Sequence, residues 1–310
     1  MKLRALAAAP LIAATMLGTT AAAWPSATAA TPQAPPALTT SALNARYQAD
    51  AQDIEKAEHT AVHDGNTPLA AALKTLRTQH VLFFNPNGNG VAATVIGNLA
   101  TATRVAILVP GSDTTLATFF SRGAASPGGG AEALADETKK LDPGQKNLAI
   151  IAWLGYPAPA MLSPSVMTSG DAGQGAQALK PLVTAIAKHG AQVALLCHSY
   201  GSVVCGLAAP NLPVTDIAVF GSPGMDANSA QDLHTAARVW AGREADDSIK
   251  YVPHVHLLGL GFGADPMSPG FGASIFATGD SGHSGYLAPG SESLRNLAEI
   301  ALGHTKAVTR

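Results

Sequence analysis

The chain has 310 residues, enough for one large or two small domains with a full hydrophobic core. Nineteen basic side chains face 21 acidic ones, a net charge of -2 with 13% charged residues, so there is no electrostatic footprint for nucleic acid or an anionic membrane. A 47% hydrophobic content and 31 Gly plus 21 Pro without a collagen-like period exclude a fibre and a disordered chain; two cysteines exclude a disulfide-stapled miniprotein and a four-cysteine zinc site.

Lys2 and Arg4 precede an Ala/Leu-rich stretch, Ala5 to Leu17, that is too short to span a bilayer, and small residues follow through Ala30. This pattern predicts a secretory signal peptide over 1–29, cut after Ala27-Thr28-Ala29, with Ala21-Ala22-Ala23 as an earlier alternative; the mature protein is expected to be exported and free of membrane spans. A Pro-rich linker over 30–40 follows. Residues 41–79 then read as two helices that brace the core, Ser41 to His63 and Thr67 to Arg77, and 80–310 as the catalytic domain.

The period changes at His80. His80 to Phe84, Val91 to Ile96 and Arg104 to Val109 are short β-branched runs between Asn/Pro/Gly turns, an expected antiparallel start to a sheet. Helices over Ala131 to Leu141, Gln174 to His189 and Ser202 to Ala209 alternate with strands over Leu148 to Trp153, Gln192 to Leu196, Ile217 to Phe220 and Ala237 to Trp240, ahead of a final helix over Ser291 to Leu302. Such alternation predicts an α/β fold, a mostly parallel sheet with helices on both faces.

Val193 to Leu196 runs into Cys197-His198-Ser199-Tyr200-Gly201 and then an apolar helix, a strand, tight turn and helix that would expose the serine oxygen above the sheet. The small positions two before and two after Ser199 suit that crowded turn. Ala124-Ala125-Ser126-Pro127-Gly128 matches the same pentapeptide, but Ser126 follows no apolar strand and leads into Gly128-Gly129-Gly130, so Ser199 is the expected nucleophile.

A serine needs a base, and in this architecture the order is Ser, acid, His, which leaves His234, His254, His256, His283 and His304. His283, in the Gly-rich loop 279–285 before the final helix, is favoured; His304 reads as a helix-end residue and His254 with His256 as packing or solvated side chains rather than a metal pair. For the acid, Asp247 in the loop after Arg238 to Trp240 is favoured, with Asp246 beside it and Asp226 after the preceding strand as alternatives. The oxyanion donors are expected to be the backbone N–H groups of Tyr200 and Ser112.

The segments CHSYGS, FGSPGM, ADDSI, GADP, FGA and GHSGYLAPGSESLRNLAEIALG resemble the alpha/beta-hydrolase superfamily, most closely an actinobacterial branch of undefined function, over about Arg104 to Gly303. The resemblance implies an alpha/beta-hydrolase fold, a triad of Ser199, Asp247 and His283, and hydrolysis of an ester, thioester or amide without a cofactor. Cys197 departs from the commoner Gly at its position. A bridge from Cys197 to Cys205 would staple the nucleophile turn, as export permits.

The expected activity is therefore a secreted serine hydrolase cleaving carboxylic esters of small-molecule or lipid character. An acyltransferase or peptidase on the same triad, or a fold that has lost catalysis and only binds, are the competing readings. No phosphate-cradling loop and no metal-ligand cluster is legible.

Overall fold

The computed structural model describes residues 34–252, 254 and 260–310; the expected signal peptide and the first part of the linker lie outside them. Two helices come first, α1 (Thr40–His63) and α2 (Thr67–Leu76). Thr39 caps α1 by accepting from the Ala42 N–H, and Asn66 caps α2 by accepting from the Leu69 N–H, so each start is fixed by a short polar side chain where four N–H groups lack partners. Leu43, Ile54 and Ala61 form the buried stripe of α1, which packs on α2 and on the first strand and joins one continuous apolar core.

The sheet has eight strands: β1 (His80–Asn85), β2 (Val91–Ile96), β3 (Arg104–Val109), β4 (Leu148–Leu154), β5 (Gln192–His198), β6 (Asp216–Phe220), β7 (Arg238–Gly242) and β8 (Ser274–Ile275). Their order is β1-β2-β4-β3-β5-β6-β7-β8, antiparallel for the β1–β2 and β2–β4 pairs and parallel from β4 to β8. The expected antiparallel opening therefore holds for β1 and β2 but not for β3. That strand sits between β4 and β5, because its Val105-Ala106-Ile107-Leu108-Val109 run is buried throughout and needs cover on both faces.

Between the strands lie α3 (Pro127–Leu141), α4 (Gly170–Lys188), α5 (Gly201–Ala208) and α6 (Glu292–Leu302). The chain steps one way from β3 to β4 and back over β3 to reach β5, so right-handed crossovers put α3 and α4 on opposite faces. Accordingly α3 packs with α6, and α4 with α5. Ser291 caps α6 through the Leu294 N–H, and Gly303 ends it in the left-handed conformation that favours glycine.

Several boundaries differ from the sequence pattern. α3 starts at Pro127, four residues before Ala131, with Ser126 as its N-cap residue; its first three interior positions are glycine because Phe120, the Gly123 backbone and Leu287 occupy the space side chains would need. α4 likewise begins at Gly170 rather than Gln174. The two-residue β8 is too short to leave any periodicity.

Candidate active site

All the polar candidates that converge do so beyond the carboxyl ends of the parallel strands, beside the β3–β5 junction where the strand order reverses, the usual crevice of open α/β sheets. Ser199 follows β5 directly and has φ 52°, a left-handed conformation rare for a residue with a side chain. Its N–H donates to the Phe220 carbonyl at 3.0 Å, which pins the turn to β6. A Cβ on Gly201 would come within 2.6 Å of the Val109 and Pro110 carbonyls, so the chain passes β3 only because that side chain is absent. Cys197 and Cys205 are joined by a disulfide that ties the end of β5 to α5 across the turn.

The Ser199 Oγ lies 2.8 Å from His283 Nε2. On the other side of the ring, His283 Nδ1 is 2.9 and 3.0 Å from the two Asp247 oxygens, which accept its proton. That contact fixes the tautomer: with Nδ1–H donating to a carboxylate, Nε2 is left as the acceptor for the serine hydroxyl. Asp247 is fully buried. Burial by itself would raise its carboxyl, but hydrogen bonds from His283, from the Tyr286 hydroxyl at 2.6 Å and from the Ile249 N–H at 2.8 Å outweigh it and hold the carboxyl below the usual range.

Asp247 also caps the 3-10 turn Ser248–Tyr251, and that cap turns its side chain inward while the adjacent Asp246 stays exposed. Asp226 has no contact with His283; it lies at φ 58° beyond β6, with its N–H donating to the Phe262 carbonyl. Of the other histidines, His234 is exposed after a short 3-10 turn, His304 pairs with Glu299 at 3.1 Å, and His254 faces Asp265 at 3.7 Å. His256 lies outside the described residues. Ser126 is buried and its hydroxyl donates to the Gly123 carbonyl at 2.6 Å, occupied in the 3-10 turn that precedes α3.

Ser112, after β3, and Tyr200, after the serine, both line the same pocket as Ser199. Among the described residues neither backbone N–H donates a hydrogen bond. A Cβ on Gly111 would fall 2.6 Å from the Ser199 Cβ, so the loop after β3 reaches the serine because glycine stands there. The Tyr200 hydroxyl donates to the Thr168 carbonyl at 2.6 Å and accepts from the Ala172 N–H at 3.2 Å, tying the turn to the start of α4. Burial pushes that phenol up to about 12, so it stays a neutral donor.

Three supporting residues escape sequence reasoning. Tyr286 bridges Asp247 and the Glu244 N–H, which donates to the phenol oxygen at 3.0 Å; burial, then the neighbouring carboxylate, raises its hydroxyl. Glu244, also buried, accepts from the Ser281 N–H at 3.0 Å and the Ser293 hydroxyl at 2.8 Å, fastening the loop that carries His283. His198 packs at a tilt against His283, ring centroids 4.8 Å apart, and donates its Nε2–H to the His283 carbonyl at 2.9 Å; burial, then the adjacent His283, lowers it to about 3, so it is neutral. The spacing of Tyr286 three residues after His283 is the one local signal available; the others depend on the fold.

The pocket over Ser199 measures about 330 Å³ and is predominantly apolar, with Val166, Ile249, Val252 and Phe262 in its wall. Among the described residues no group of three or more His, Cys, Asp or Glu side chains is placed to hold a metal ion.

Residues 85–257 match the family model described as alpha/beta hydrolase. An uncharacterized protein of Mycobacterium tuberculosis strain H37Rv is 33% identical over 254 residues, covering 71% of this chain, whereas the chain spans only 38% of that relative's length. An uncharacterized protein of Mycobacterium bovis is 30% identical over 149 residues, covering 46% of this chain and 56% of the relative. Among solved structures, esterase PE8 covers 69% of this chain and 98% of its own at 13% identity and a TM-score of 0.45, and an alpha/beta serine hydrolase from Xanthomonas campestris covers 71% and 92% at 13% and 0.43. The family match spans more than half of the described sequence and includes β2 through Asp247, so the chain belongs to the alpha/beta hydrolase family.

Proposed function

We propose that the protein is a serine hydrolase that cleaves carboxylic esters with an apolar acyl group. The observation that carries this reading is the unbroken hydrogen-bond chain from Asp247 through His283 to Ser199, opening on an apolar pocket of about 330 Å³. Ser199 Oγ attacks the acyl carbon while its proton passes to His283 Nε2; Asp247 stabilises the resulting imidazolium. The oxyanion faces the Ser112 and Tyr200 N–H groups, which among the described residues donate to no other acceptor. Collapse expels the alkoxide, which takes the proton from His283. Water then attacks the acyl-serine with His283 as base, releasing the carboxylic acid and restoring Ser199.

At about 30 Å³ per water-sized group, the pocket holds on the order of ten such groups, which suits a medium acyl chain. The N-terminal pattern over 1–29 and the Cys197–Cys205 bridge support export into an oxidising compartment. A protein from culture medium that begins after Ala29 is the expected finding; a cell-retained chain still beginning at Met1 counts against export.

The test of the activity is labelling with a fluorophosphonate, mapped by peptide mass, beside hydrolysis of p-nitrophenyl esters of increasing length. One adduct on Ser199, lost in His283→Ala, and faster turnover of medium than of acetyl esters are expected. No adduct on the folded protein would leave a fold that binds without catalysis.

A further inference from the structure

Six large apolar side chains are exposed among the described residues, and five of them crowd one place. Met161, Met167 and Leu260 line the rim of the pocket over Ser199, each nearly half exposed. Leu162 is 98% exposed beside Met161, and Tyr251 is 78% exposed between Ile249 and Val252, two residues of the pocket wall. The two segments are bound to each other and to the site: the Gly261 N–H donates to the Met167 carbonyl at 3.0 Å, and Asp113 accepts from the Met161 N–H at 2.9 Å. No Asp, Glu, Lys or Arg stands in 156–170 or among the described residues 251, 252, 254 and 260–264. A chain this size leaves so concentrated an uncharged apolar rim in water only where it meets something.

We propose that this rim docks on the uncharged face of a zwitterionic lipid surface, from which the pocket draws its ester. The proposal rests on the ester-hydrolase reading for its substrate but not for its docking. The absence of charge in both segments matches an uncharged acyl region and offers nothing to anionic headgroups. Tyr251 has the amphipathic ring that settles at a bilayer interface, while the neighbouring Lys250 ammonium, 5.3 Å over that ring, is engaged by the Ala245 carbonyl at 2.6 Å. The rim is also the mouth of the pocket. A protein partner seated there would stopper the route to Ser199, whereas a lipid surface supplies acyl chains to it.

The test is flotation of the full chain with phosphatidylcholine vesicles, beside its turnover of a soluble p-nitrophenyl ester. The wild type is expected to float with vesicles. Leu162→Asp and Tyr251→Asp are each expected to weaken partitioning about tenfold or more while soluble-ester turnover stays at the wild-type level, because neither side chain lines the pocket. Val62→Asp, on α1 at the sixth exposed large apolar side chain among the described residues, is expected to float like the wild type. Failure to float, floating only when phosphatidylglycerol is added, or partitioning unchanged by Leu162→Asp would each overturn the proposal, as would a dimer in light scattering that Leu162→Asp dissolves. Vesicle binding that depends on Leu162 in a protein with no esterase activity would refute the hydrolase reading alone and leave the docking surface standing.

Discussion

Replacing Tyr286 by Phe removes one oxygen atom and breaks two contacts. The hydroxyl donates to Asp247 Oδ2 at 2.6 Å and accepts from the Glu244 N–H at 3.0 Å, both in buried surroundings. A hydrogen bond to a charged acceptor contributes about 1.5–3 kcal/mol, and an orphaned buried N–H costs about 1–3 kcal/mol. The space vacated is one oxygen wide, too small for a water to take over. Because the two contacts share one atom they are not additive, and a loss of about 2–4 kcal/mol is expected, a fall in Tm of several degrees for a chain of this size. The pH dependence separates the two contributions. The folded-state pKa of Asp247 is depressed, so its stabilisation is present above the unfolded carboxylate value of about 3.9 and disappears as pH falls through the folded value. The destabilisation of Tyr286→Phe is therefore larger near pH 7 than in acid below the folded value of Asp247, where only the orphaned N–H remains. Urea unfolding of both proteins at the two pH values measures this. A Tm unchanged at neutral pH, or a deficit as large in acid as at neutrality, would refute the assignment of Tyr286 as the donor that supports the Asp247 charge.

Asp247→Asn is expected to lower kcat by about four powers of ten, since the amide presents the wrong hydrogen-bond pattern to His283 Nδ1, while Asp246→Asn leaves steady-state ester hydrolysis near wild type because that side chain is exposed and touches nothing in the site. Replacing Cys197 and Cys205 together by Ser opens a bridge spanning eight positions, and loop-closure entropy sets the expected loss at about 2.5 kcal/mol, read by denaturant unfolding of oxidised, reduced and mutant protein. His198 resists protonation in the fold, so the unfolded chain takes up its proton first and stability declines as pH drops from about 6.5 toward about 3; the slope is at most about 1.4 kcal/mol per pH unit, and His198→Gln should flatten it in urea titrations across that window.

The elements that could be read from the chain alone are those whose cause is local. β3 and β5 announce themselves as uninterrupted apolar runs, α6 by Ser291 before it and Gly303 after it, and the turn at Ser199 by the small residues that a sharp strand-to-helix reversal demands. The glycines that open α3 read locally as a break, and only the packing of Phe120 and Leu287 against them shows why glycine stands there inside a helix. What tertiary structure alone decides is which distant groups meet. Asp246 and Asp247 are neighbours of identical chemistry, and the choice between them rests on the cap that Asp247 makes to Ile249 and on Tyr286, 39 positions onward. The same holds for Glu244 against the loop of His283, for the insertion of β4 between β2 and β3, and for the meeting of Met167 with Gly261 that joins two distant segments at one apolar rim. Periodicity and turn chemistry are written in a few consecutive residues, so sequence determines them. Long-range contacts are set by how whole elements pack, and that information belongs to the fold.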